Sequence, residues 1–144
     1  MAIFLSCLLA IIVVFGTTLL HYEAIRRMDR YARSHPRGAY FSLLAVITGL
    51  IFLHLVEIGL YASFFALADG PLDLGSFRNA PVMAPLDYFY FAAESYASLG
   101  YGDVYPTGAM RLIGSIAPLN GLLLLTWSGS FLFALVEEWR TKSD

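Results

Sequence analysis

Two glycines one residue apart, Gly100 and Gly102, sit in the run Ser98-Leu99-Gly100-Tyr101-Gly102-Asp103, between a short apolar segment and a long one. Glycine takes backbone conformations that let consecutive carbonyls point the same way, which residues with a Cβ resist. Carbonyl oxygens stacked along one axis can replace the water shell of a cation. The Ser98 hydroxyl would add a further ring at one end. A single run supplies only part of each ring, so the chemistry asks for several copies around one axis. His54 and Glu57 form a second candidate group. Their spacing of three puts both on one helical face, where they can bond each other or a neighbouring element. One imidazole and one carboxylate are half of a typical metal site, and such a pair can also relay protons or simply brace packing. All three readings stay open. No second pair of that type occurs in the other apolar segments, and His21 and His35 fall in a polar stretch expected to be a loop.

The elements that must hold these groups are apolar. Of 144 residues 58% are hydrophobic and 14% charged, and the mean hydropathy is +0.67, which excludes an ordinary soluble domain. Residues 2–20, 38–53 and 112–136 contain no charged side chain, and segments of about 20 such residues are membrane-spanning helices. The net charge of −2 is spread without a basic face for nucleic acid. Cys7 is the only cysteine, so an intrachain disulfide and a cysteine metal cluster are both excluded. The first apolar segment has no basic residues before it and exceeds the roughly 7–15 residues of a signal-peptide core, so it is read as retained. No nucleotide, hydrolase or redox motif is present, and an enzyme is not expected.

In chain order, the first span (2–20) gives way to residues 21–37, which hold Arg26, Arg27, Arg30, Arg33 and Arg37, five of the nine basic residues. The positive-inside rule makes that segment cytoplasmic and puts the N-terminus outside. Arg27, Arg30 and Arg33 recur every third residue, but their segment is too polar and too short for a voltage sensor. A basic surface loop or interfacial helix near anionic lipid is expected across Arg26 to Arg37. The second span covers 39–67, followed by an external loop punctuated by Pro71, Pro81 and Pro85. Residues 86–97 are an aromatic-rich helix of ~18 Å, too short for a hydrocarbon core of ~30 Å. It can enter the membrane but not cross it. A turn at 105–108 leads to the last span, where Pro118 and Asn120-Gly121 predict a bend. The C-terminus is cytoplasmic.

The run 98–103 resembles the selectivity filter of potassium channels, usually Thr-Val-Gly-Tyr-Gly-Asp. With its half-span helix and two flanking spans of opposite direction, segment 40–138 resembles the two-helix pore domain of that superfamily. More narrowly, His54 to Ile58, the filter run and Asn120-Gly121 resemble its small bacterial members. The resemblance implies an all-α membrane protein with three transmembrane helices, a re-entrant pore helix and a filter loop, assembled as a homotetramer in the bacterial inner membrane. Its parts would be an extra N-terminal helix and basic loop (1–38), the pore domain (39–138) and a short tail (139–144). Ser98, Leu99, Gly100, Tyr101 and Gly102 would bind potassium ions, with no other cofactor. Glu94 and Asp103 would share a proton behind the filter. If one residue is deleted in the turn after Pro106, Arg111 matches the start of the inner helix and Gly121 its hinge. Leu122, Leu125, Gly129 and Phe133 would then face the pore. Ser98 and Leu99 depart from the family's threonine and valine, which makes a weakly selective monovalent cation channel the runner-up. A membrane metal-site protein using His54 and Glu57 is a further alternative. Asp69, Asp73, Asp87, Glu94 and Asp103 on the outer side, against Arg78, would concentrate cations there.

Overall fold

The structure is a computed structural model that describes residues 1–34, 39–80 and 82–143. His35, Arg37 and the Pro36-Arg37-Gly38 stop, the Pro81 punctuation and Asp144 lie outside the described residues. Among those described, the order is α1 (Ala2–Ser34), α2 (Ala39–Asp69), β1 (Phe77–Arg78), α3 (Pro85–Tyr96), β2 (Tyr105–Pro106), a 3-10 turn (Gly108–Met110) and α4 (Arg111–Ser143). Three helices, α1, α2 and α4, are long and apolar enough to cross a membrane. The 12 residues of α3 are not.

The first span does not stop at Leu20. Helix α1 continues through the basic segment to Ser34, so of the two readings of that segment, surface loop or interfacial helix, the helical one holds, as the second half of one 33-residue helix. Between His21 and Ser34 there is neither glycine nor proline to end it. Pairs at i,i+4 support it: Arg27 Nε lies 3.1 Å from Glu23, and Arg33 Nε 3.0 Å from Asp29. At 1.5 Å per residue the helix is ~50 Å long. Its buried residues, Ser6, Ala10, Val13, Thr17, His21, Ile25 and Ala32, recur every three, four or seven positions, which is one continuous seam facing the rest of the chain.

Helix α3 begins with Pro85 at its first position, and the Asp87 carboxylate accepts the Ala84 N–H at 2.8 Å. The turn expected at 105–108 is partly strand. Tyr105 and Pro106 pair antiparallel with Arg78 and Phe77, so the loop between α2 and α3 is tied back to the chain beyond residues 98–103. Helix α4 runs unbroken past Pro118 and Gly121 and takes in Trp139, so the expected short tail is its last turns.

Two apolar clusters form the core. One gathers Ala10 and Val13 of α1, Tyr61 and Phe65 of α2, Phe77, Phe91 and Tyr96, and Ile113 and Leu124 of α4. The other gathers Ile25, Ala32, Val46, Leu50, Leu53 and Leu135. Between them lies a layer of buried polar side chains, including Thr17, His21, Glu57, Asn120 and Ser128. Helix α1 contributes to both clusters and to the polar layer, so it packs as part of one unit with α2, α3 and α4 rather than as an appendage. Arg33 Nη1 bonds both Glu138 oxygens at 2.6 and 2.7 Å, which places the C-terminal ends of α1 and α4 together.

Candidate functional site

The run 98–103 leaves α3 through a helix-ending motif built by the backbone. The Ser98 N–H donates to the Ser95 carbonyl at 3.1 Å and the Leu99 N–H to the Glu94 carbonyl at 3.0 Å. Ser98 itself is left-handed, with φ 59°. This pattern of a six-to-one bond with a left-handed residue after the cap usually has glycine there. Here serine takes the position, at a cost of about 1 kcal/mol. Gly100 is also at positive φ, 94°, and nothing in the chain lies within 4 Å of a Cβ built on Gly100 or Gly102. Leu99 is 78% exposed. One side of the run is therefore open along its length.

Its other side is braced. The Tyr101 ring stacks on Phe91 of α3 at 5.2 Å and 23°. Phe91 meets Phe65 and Phe77 edge-on at 4.9 and 4.8 Å. The Tyr101 hydroxyl reaches α4 at Gly114, where an added Cβ would stand 2.6 Å from it. At the far end the Asn79 side-chain amide donates to the Asp103 carbonyl at 2.9 Å. Phe77 and Asn79 were not singled out in the sequence, because isolated residues in a loop carry no periodicity to reveal an inward face.

Glu94 and Asp103 are both exposed, and no hydrogen bond joins them within one chain. Glu94 instead lines a cavity of about 310 Å³ with Asp87, Tyr90, Phe91 and Val104. Two of the outer acids have local partners: Asp87 caps α3, and Asp69 accepts the Tyr88 hydroxyl at 2.5 Å. Burial, and then the Asp69 carboxylate, push the Tyr88 phenol up to about 12.

Gly121 was expected as a hinge. A Cβ there would overlap the Tyr96 backbone carbonyl and stand 2.9 Å from the Tyr96 ring. Gly121 thus lets α4 touch the last residue of α3. Leu122, Leu125, Gly129 and Phe133 all lie on the exposed side of α4, opposite buried Ala117, Leu124 and Ser128.

Behind residues 98–103, His54 and Glu57 are joined as their spacing implied, with His54 Nδ1 3.0 Å from Glu57 Oε2. The expectation that His21 lies in a loop is overturned. It is fully buried on α1, and its Nδ1 is 2.9 Å from Glu57 Oε1. The Tyr96 hydroxyl donates to Glu57 Oε2 at 2.5 Å, and His54 Nε2 lies 3.0 Å from Ser128 Oγ. One helical turn away, the Asn120 amide donates to the Thr17 hydroxyl at 2.8 Å and to the Tyr61 hydroxyl at 3.0 Å. Every long helix and α3 take part in this network. His21 could have been found from the four-residue steps Thr17, His21, Ile25 that extend the apolar seam across the apparent boundary.

Comparison with known protein families finds the ion channel family matching residues 41–138, well over half of the chain. No curated protein and no solved structure gives a significant match. The matched region begins in α2 and ends in α4, taking in α3 and the filter run and leaving out α1. The chain belongs to the ion channel family, whose work is transport rather than catalysis.

Proposed function

We propose that this ion channel conducts potassium passively through a homotetramer, with Ser98, Leu99, Gly100, Tyr101 and Gly102 of four chains lining one axis. The observation that carries this reading is the asymmetry of the run. Its rear is fixed by Phe91, Gly114 and Asn79, while its front, with both glycines, is open. Backbone at membrane depth without regular structure is tolerated where it is buried in protein or lines a water-filled path. Four open fronts around an axis meet that condition. The exposed face of α4, with Leu122, Leu125, Gly129 and Phe133, then lines the route below. Potassium ions are the cargo. The protein sits in the bacterial inner membrane with its N-terminus outside, its C-terminus cytoplasmic, and Arg26 through Arg33 near anionic lipid.

A weakly selective monovalent cation channel is the second reading, and Leu99 favours it. That side chain is exposed within its own chain, so the filter gains no rigidity from it there. A metal-site protein without a pore would leave the open glycine run without a role.

The test is the reversal potential of purified protein reconstituted in liposomes, with particle mass measured in the same detergent. We expect four chains per particle and a potential that follows the potassium gradient, with Gly100→Ala abolishing either the current or its selectivity. A potential that follows sodium equally well would establish the second reading. No current from a correctly assembled tetramer would end both.

A further inference from the structure

We propose that His21, His54 and Glu57 form a binding site for one divalent transition-metal ion of the zinc class in each chain. Two imidazoles and a carboxylate are a donor set that suits such ions. The three ligand atoms lie within 4.8 Å of one another. The two nitrogen-to-carboxylate distances are 2.9 and 3.0 Å. Ligands at about 2.05 Å from a tetrahedral ion stand ~3.3 Å apart, so the two nitrogen–oxygen pairs open by a few tenths of an ångström around an ion, and the two nitrogens, within 4.8 Å of each other, adjust to the third edge.

The surroundings are those a metal site needs. Ligating histidines hold their other nitrogen with an acceptor, which sets the tautomer and the ring orientation. Ser128 Oγ is 3.0 Å from His54 Nε2 and 3.4 Å from His21 Nε2, and one hydroxyl oxygen has two lone pairs with which to accept both N–H groups. Both Nδ1 lone pairs are then directed at the Glu57 carboxylate. The Tyr96 hydroxyl orients that carboxylate at Oε2, on the same side as His54, whose Nδ1 lies 3.0 Å from the hydroxyl.

Proton counting leaves two ways to complete the cluster. If both Nδ1 atoms donate to Glu57, both Nε2 atoms become acceptors, and Ser128 has a single hydrogen for the two of them. Two neutral imidazoles are then one donor short, in a buried place where an unmet acceptor is costly. Either one further proton, which makes a histidine–Glu57 ion pair, or a metal ion, which leaves both Nε2 atoms as donors, removes the deficit. His54 has 13% of its side chain exposed, which gives the ion a way in and a position for a fourth ligand such as water. If the chain conducts as proposed above, occupancy is felt at the base of the filter through Tyr96. That consequence rests on the channel reading, whereas the site itself does not.

The experiment is titration of chelator-stripped, full-length protein in detergent with Co²⁺. Expected are the intense visible bands of tetrahedral cobalt, saturating at one ion per chain and displaced by Zn²⁺. His21→Gln and His54→Gln should each weaken binding at least tenfold while eluting as the wild-type particle, and Cys7→Ser should change nothing. Absence of these bands from wild-type protein overturns the proposal without any variant, as does unaltered affinity in both histidine variants. Ser128→Ala, a gentler change, should lower affinity without removing the bands. Potassium flux measured in chelator keeps the two readings apart: cobalt bands without flux would sink only the channel, and flux without bands only the metal site.

Discussion

Gly114 and Gly121 of α4 each accept a neighbour where a side chain would stand. At Gly121 the neighbour is the Tyr96 backbone, which cannot swing aside, and at Gly114 it is the tip of the Tyr101 ring. Forcing extra atoms into a packed contact costs about 1–3 kcal/mol. Gly121→Ala is therefore expected to destabilise the protein by that amount or more, read as a lowered unfolding midpoint in detergent. Gly114→Ala should disturb the filter through Tyr101 with less effect on stability. Gly129, whose surroundings within the chain are open, should accept alanine with an unchanged midpoint. A simple hinge at Gly121 would give the opposite pattern, with altered opening and intact stability. Sequence alone could not distinguish these roles, since a glycine that bends a helix and one that admits a neighbouring backbone look the same in one dimension.

The elements were more legible than their contacts. Length alone marked α3 as too short to cross, and the charge-free segments marked the cores of α1, α2 and α4. The true end of α1 was obscured by the abrupt arrival of arginines after Leu20, which changes the solvent the helix meets and not its backbone preference. Because α1 is continuous, it meets α4 at two depths: through Thr17 and Asn120 within the polar layer, and through Arg33 and Glu138 at the helix ends. The two ties differ in kind. Hydrogen bonds between membrane helices average about 0.6 kcal/mol each, and Asn120 makes two, so Asn120→Ala should cost about 1 kcal/mol in mixed-micelle unfolding. Arg33 is half exposed, and exposed ion pairs contribute little once screened by water and salt. Arg33→Gln should accordingly leave the same transition nearly in place.

Across the whole molecule, the polar layer lies between two apolar clusters and draws on all four helices. Its acid, Glu57, is fully buried, and its partners come from three different segments of chain. None of this could be read from α2 by itself, where His54 is the only visible partner. The layer also has a consequence for how the protein is made. A charged residue near the centre of a helix raises the free energy of insertion by about 2.5–3.5 kcal/mol, so Glu57 cancels a large part of what the apolar side chains of α2 gain on entering the bilayer alone. His21 precedes Glu57 by 36 residues and leaves the ribosome first. In a glycosylation-mapped translocation assay, α2 should insert more efficiently behind α1 than without it, and His21→Leu should remove much of that advantage. The helix that stands outside the ion channel match would then serve first as a chaperone built into the nascent chain, waiting in the membrane for the acid it is to receive.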